Sequence, residues 1–368
     1  MSKGSGNLTI WLTFSILLLS SGLVCHVMAI PIILGVSLRD SWLTIIVAAP
    51  LFLLWLLLLH IVLKGIHGQR LPDWIQREYG VVPAWLLRIL SIVILFFSGT
   101  YTLRDTALWT VTTYMQQTPT LVIVVSAVAL AMLAAYKGIR TIAMTASILV
   151  PIVIFLGYFI MGANTRYKDF SLLLPMLEHG WSPVFRGVVY VLAGMMEVWI
   201  LLLYQHELRQ KMKWWQLVLL GLFLISMTMG PTVGAITEFG PLEAAKQRHT
   251  AFEQWKILSL GIFLEHVDFL SIYQWLCGSF ARIAISMYLI VDMADIRKPS
   301  RRFMALSIVS AAMIYTARFS KLRDDQAIMY LQYIHLPGIF LFSSVLVVLL
   351  ALAVWGSKVK ARKGGTQS

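Results

Sequence analysis

Charged side chains are what this sequence has least of. They make up 13% of its 368 residues, against about a quarter in a soluble globular chain. Set beside a hydrophobic content of 59%, that scarcity excludes a water-soluble fold. Acidic residues are rarer still, 17 against 30 basic ones, so any carboxylate inside an apolar run needs a reason. There are two cysteines, Cys25 and Cys277, each inside an apolar run and without paired spacing. This excludes a disulfide framework and a cysteine zinc site. The sequence also lacks HExxH, GxSxG, a Walker-type glycine loop and a dinucleotide fingerprint, and "YQHEL" has no second histidine for a metal. Enzyme and nucleotide-driven pump readings fall with them, and no metal or cofactor is implied.

What the chain does have is apolar length. A crossing of about 30 Å of hydrocarbon at about 1.5 Å per residue needs roughly 20 residues. Windows of that kind fall at about 9–34, 42–63, 85–115, 119–136, 141–162, 184–204, 214–236, 267–291, 303–318 and 333–356. The reading is an all-α integral membrane protein of about ten spans, one transmembrane domain over 1–368, with short tails at about 1–8 and 357–368. The opening "MSKGSGNLTIWLTFSILLL" has one lysine and no small-residue cleavage site, and reads as a retained first helix.

A net charge of +13 does not point to nucleic acid, because the basic residues lie between apolar runs. Assigning connections alternately puts eighteen Lys and Arg on one side, from Lys3, Lys64 and Arg70 through Lys358 to Lys363, and ten on the other. The richer side is the cytoplasmic one, which places both termini inside. Two connections on the poorer side are long, 163–183 and 237–266. Such lengths suit lids or surface helices better than floppy loops.

Ten spans divide into five plus five, and transporters with inverted repeats bind ligand where the first span of each half is discontinuous. Span one carries "SILLLSSGLVCHVMAIP", with Ser20, Ser21 and Gly22 near its middle; span six carries "YVLAGMMEVW", with Gly194, Met195 and Glu197. An ionised carboxylate near a bilayer centre costs at least about 2.5 kcal/mol, so such a group is functional by default. Half-helix N-termini would attract a carboxylate, and Glu197 would accept an ammonium group. The alternatives are close packing through small residues for Ser20 to Gly22, and a structural carboxylate bonded to a serine or to Arg104 for Glu197. Tyr101 in span three is a cavity-lining residue or an aromatic packing one. His26 reads as a core histidine, and His266 and Asp268 as a solvated helix end. The candidate ligand-binding set is therefore Ser20, Ser21, Gly22, Cys25, Tyr101, Gly194, Met195 and Glu197.

Several stretches, in order along the chain, resemble one family. They are "IPIILGVSLRDSWLT", with Pro31, Asp40 and Trp42; Thr118-Pro119 before span four; "LLPMLEHGWSPVFRG"; the span-six glutamate; and "FLEHVDFLSIYQW". The chain resembles the B subunits of spore germination receptors, the GerAB family of the amino acid/polyamine/organocation transporter superfamily. The resemblance implies a LeuT-like fold with discontinuous helices one and six, located in the inner membrane of a bacterial spore. It also implies a small germinant, often an amino acid, held between helices one and six, and partnership with an A-type membrane subunit and a C-type lipoprotein. An ion- or proton-coupled amino acid transporter is the alternative.

Overall fold

A computed structural model of the protein describes residues 8–66, 68–258, 267–319 and 323–364. His266 and residues 1–7 and 365–368 of the expected tails lie outside them. Among the described residues the backbone is almost wholly helical. Lipid surroundings dictate this, because backbone in hydrocarbon must satisfy its own N–H and C=O groups, and a helix does so within one segment.

The first rod is α1 (Ile10–Leu23), a π-helical turn at Val24–Met28 and α2 (Ala29–Ser37). The next are α3 (Ser41–Ile66), a short connecting α4 (Leu71–Tyr79), α5 (Val81–Thr113), α6 (Thr120–Lys137) and α7 (Ile139–Ala163). The sixth rod joins α8 (Trp181–Met196), a 3-10 turn at Glu197–Ile200, α9 (Leu201–Tyr204) and a second 3-10 turn at Gln205–Glu207. The seventh is α10 (Trp214–Phe239), followed by α11 (Pro241–Ala244) and α12 (Thr250–Ile257). The eighth and ninth are α13 (Phe269–Met293) and α14 (Pro299–Phe319), and the tenth is α15 (Asp324–Tyr330), a π turn at Leu331–His335 and α16 (Leu336–Gly364). Eight helical stretches are long and apolar enough to cross a membrane, the first of which, Ile10–Ile66, holds two rods.

What divides that stretch is Leu38, at φ 47, an uncommon region for a branched residue. The turn is held by the Ser41 hydroxyl, which donates to Leu38 O at 2.6 Å and Ile33 O at 3.1 Å. Buried Asp40 accepts the Leu177 N–H at 2.8 Å, tying this junction to the segment before α8. Between α6 and α7 the reversal falls on Gly138 at φ 107, where a Cβ would be strained.

Two sequence readings change. The last rod starts at Asp324, nine residues before its apolar window, because Asp324, Asp325 and Gln326 form a polar first turn that hydropathy overlooks. Its helix also continues to Gly364, past the expected start of a tail at 357. In the connection after α10, the expected surface helix is present as α12, yet Phe252 and Trp255 on it are buried, so it is inserted as a cap.

Rods one and six are neighbours of opposite sense. Leu8 N–H donates to Glu207 O and Arg209 N–H to Leu8 O, both at 2.9 Å, joining the start of one to the end of the other. Burial identifies the centre of the bundle. Of the apolar window of the sixth rod 89% is enclosed, and of the eighth 83%, against 22% to 44% in the others. Polar groups on these two rods therefore face protein and not lipid.

Candidate ligand site

The expected interruptions of the first and sixth rods are present as changes of helical register. Around the π turn of rod one, Val24 N–H donates to Ser21 O and Ala29 N–H to Val24 O, so the chain widens without an extended segment. Neither Gly22 nor Gly194 sits at positive φ; both serve by what they leave out. A Cβ on Gly194 would lie 3.5 Å from Cys25 Cα and Sγ and 3.6 Å from Ala29 Cβ, which means the two irregular rods touch there. A Cβ on Gly22 would meet the Met227 methyl at 3.1 Å, so that glycine faces α10.

One turn beyond Gly194, the Glu197 carboxylate pairs through Oε2 with Nη1 of Arg282 on α13. The two side chains are 6% and 2% exposed. The charge cost raised by the sequence is thus offset by a second buried charge. The alternative partner, Arg104, is elsewhere: its guanidinium lies 3.8 Å from Asp324 Oδ1. Arg282 lies well inside the apolar window at 267–291, and opposite charges within a membrane tend to pair with one another. Its Nε and Nη2 are buried with no hydrogen-bond partner among the described residues.

Cys25 lies within electrostatic reach of both Glu197 and Arg282, and His335 within reach of Arg282. His335 belongs to the π turn of the tenth rod. Irregular turns of rods one and six therefore meet beside one ion pair, with the π turn of rod ten within electrostatic reach of it, and π turns recur at functional sites. Of the eight candidate residues, Cys25, Gly194 and Glu197 come together here. Ser20, Ser21 and Met195 are buried nearby on the same rods, with Ser21 Oγ unpartnered.

Tyr101 belongs to a neighbouring layer. Its ring stacks on His335 with centroids 5.9 Å apart, and its hydroxyl accepts from Arg248 Nη2 at 3.1 Å. Arg248 comes from the connection before α12 and also binds Asp105 Oδ1 at 2.5 Å. Burial opposes its charge, yet Asp105 keeps the guanidinium protonated above its ordinary range. His249 beside it is held neutral, pushed down to about 3 by burial and by Arg248. The connection is anchored by aromatic contacts: Trp109 stacks on Trp275 at 4.1 Å, with Phe252 edge-on to Trp109 at 5.4 Å. Arg104, Asp105, Arg248, His249 and Asp324 border, with Leu108 and Trp109, a cavity of about 410 Å³, within the range of small-molecule sites. Nothing in the spacing of Arg248 marked it, since it lies in a connection and acts only through the fold.

Gly22 instead lines a second cavity of about 80 Å³, mostly apolar, together with Met161, Phe223, Met227, Trp255 and Trp275. His26 borders it with Nδ1 3.2 Å from Met227 O, as a core histidine does. Glu197 does not line it. At the opposite end of rods six and eight, Arg70 binds Asp292 Oδ2 at 2.9 Å and Asp295 Oδ1 at 2.8 Å, and Gln205 donates to Gln69 O at 2.5 Å. Partial burial opposes it, but hydrogen bonds from Arg70 and Arg297 hold the Asp295 carboxyl below its ordinary range. The ion pair is therefore closed over at both ends, by Arg248 on one side and by the Arg70 network on the other.

Comparison with known proteins follows the same lines. Residues 8–325 match the family model described as "Spore germination protein". Spore germination protein XB of Bacillus anthracis is 38% identical over 351 residues, covering 94% of this chain and 97% of that protein. Spore germination protein KB of Bacillus subtilis (strain 168) is 23% identical over 355 residues, covering 90% and 91%. Among solved structures, MhsT in complex with L-phenylalanine superposes with a TM-score of 0.66 over 96% of this chain and 89% of that one, at 11% identity. That likeness shows a LeuT-type fold.

Proposed function

This chain belongs to the spore germination protein family, and from that premise we propose that it is the B subunit of a germinant receptor that binds a small germinant, an amino acid, between rods one and six. Membership carries a germinant-receptor or permease-like role for a multi-pass integral membrane protein, not an enzyme's. The observation that carries the finer reading is the Glu197–Arg282 pair, enclosed where the irregular turns of the two rods meet. A pair kept at such desolvation cost gains little as a fastener, while polar groups inside a membrane bundle suit recognition. Ligand enters from the side carrying Arg248, and both termini lie in the cytoplasm, as the distribution of basic residues supports. The chain acts as one transmembrane domain in the spore inner membrane, with an A-type membrane subunit and a C-type lipoprotein reading its state. A ligand moves that state only by its differential affinity for the closed and open forms.

The test is Glu197→Gln in spores whose own copy of the gene is deleted. We expect the variant to reach the membrane and the amino acid response to be lost. A response at unchanged ligand sensitivity removes Glu197 from the site. Uptake of labelled amino acids into vesicles separates the receptor from the coupled transporter: saturable accumulation driven by an ion gradient would overturn the receptor reading.

A further inference from the structure

Arg282 is 2% exposed and uses one nitrogen, Nη1, on Glu197. Its Nε and Nη2 are buried and have no hydrogen-bond partner among the described residues. These two nitrogens form one edge of the guanidinium, where two parallel N–H groups match the two oxygens of a carboxylate. Leaving buried donors of a charged group unmade is expensive, and the fold leaves two on a single edge. Glu197 is engaged only through Oε2. The pair thus leaves a bidentate donor edge of Arg282 and the second oxygen of Glu197 without a hydrogen bond among the described residues.

Resting on the germinant-binding reading above, we propose that Arg282 is the carboxylate anchor of the site and that its ligand is a zwitterion. The ligand's carboxylate takes the Nε/Nη2 edge of Arg282, and its ammonium takes the second oxygen of Glu197. Charge balance selects this class. The pair is neutral, so a simple anion or a simple amine would bring an uncompensated charge into a site closed off from water, whereas a zwitterion brings none. The register change in rod one fits the same assignment. A carboxylate held by a helix N-terminus needs free backbone N–H groups, and around the π turn of rod one those of Val24 and Ala29 are already used. Recognition of the carboxylate therefore falls to a side chain, and Arg282 has the edge for it.

The experiment uses the full-length protein in lipid nanodiscs, with binding read by calorimetry and by shift of the unfolding temperature. The probes are the twenty standard L-amino acids, the carboxamide and the decarboxylated amine of each binder, sodium acetate, sodium chloride, and a sugar and nucleoside panel. We expect at least one amino acid to bind, with its amide and amine weaker by about 100-fold or more, the loss of two charge-assisted hydrogen bonds. Arg282→Lys keeps a cation for Glu197 but lacks the fork, so the acid-to-amide ratio should collapse to within about tenfold. The wild-type ratio needs no variant and stands even if Arg282→Lys fails to fold. An acid and amide that bind equally, or a ratio that survives in Arg282→Lys, overturns the assignment while leaving an amino acid receptor in place. Binding of chloride or acetate alone, or of a sugar or nucleoside unaffected by Arg282→Lys, overturns the zwitterion. If no probe binds, both this assignment and the amino acid reading fail.

Discussion

The tightest constraint on the site comes from a double-mutant cycle between Glu197 and Arg282. Their side chains are 6% and 2% exposed, so water and salt screen them little. Removing one member leaves the other as an uncompensated buried charge, which costs about 3–5 kcal/mol. Glu197→Gln keeps the size and a hydrogen-bond acceptor, so its effect should fall near the lower end of that range. Arg282→Met should fall higher, because it strands an ionised carboxylate that is 6% exposed. The double variant replaces both charges with neutral groups of similar length and should lie within about 2 kcal/mol of wild type. The singles therefore sum to much more than the double, with a coupling of about 3 kcal/mol or more. Urea and thermal unfolding in detergent measure this, repeated at low and at 1 M salt. Strictly additive singles, with coupling below about 0.5 kcal/mol, would refute the buried pair, as would a coupling abolished by salt.

Two glycines give opposite expectations for adding a methyl group. A Cβ on Gly187 would lie 2.2 Å from Ser37 Oγ, which is fixed by its bond to Pro183 O at 2.9 Å. Gly187→Ala should therefore lower unfolding stability by about 1–3 kcal/mol through overpacking, and an unchanged stability would count against the close approach of α8 to α2. Gly22→Ala meets only the flexible end of Met227 and should be tolerated with ligand response intact; loss of folding there would show that its backbone needs glycine after all. For pH, the folded-state value of His249 is lowered from 6.5 to about 3. The unfolded chain thus binds a proton first as pH falls, and stability is fully present above about 6.5 and declines toward 3. His249→Gln should flatten that part of the stability profile in acid titrations followed by near-UV dichroism, and an identical slope would contradict a buried neutral imidazole.

Much of the candidate site could be read from the chain, and the unread part has one cause. Glu197 stood out because a carboxylate in an apolar run is costly wherever that run ends up. Gly194 and Cys25 both belong to the candidate set, and they touch where rods one and six meet. Gly22, expected at the interruption of span one, faces α10 through its missing side chain, because composition does not distinguish a glycine needed for its dihedrals from one needed for the room it leaves. The π turn at Leu331–His335 was not foreseen, because a shift of hydrogen-bond register leaves no mark in hydropathy. Arg248 sits in a connection, and only the fold brings it onto Asp105, 143 positions away.

The sequence by itself determined that the protein is a bundle of about ten rods in a membrane, because crossing hydrocarbon depends on the apolar content of each consecutive stretch. It also determined that at least one buried charge had to be compensated. Tertiary structure alone decided by what. Arg282 is 85 positions from Glu197, and a Coulomb energy depends on distance in space, which neighbours along the chain do not set. The same packing settled which nitrogens of Arg282 stay without a partner among the described residues.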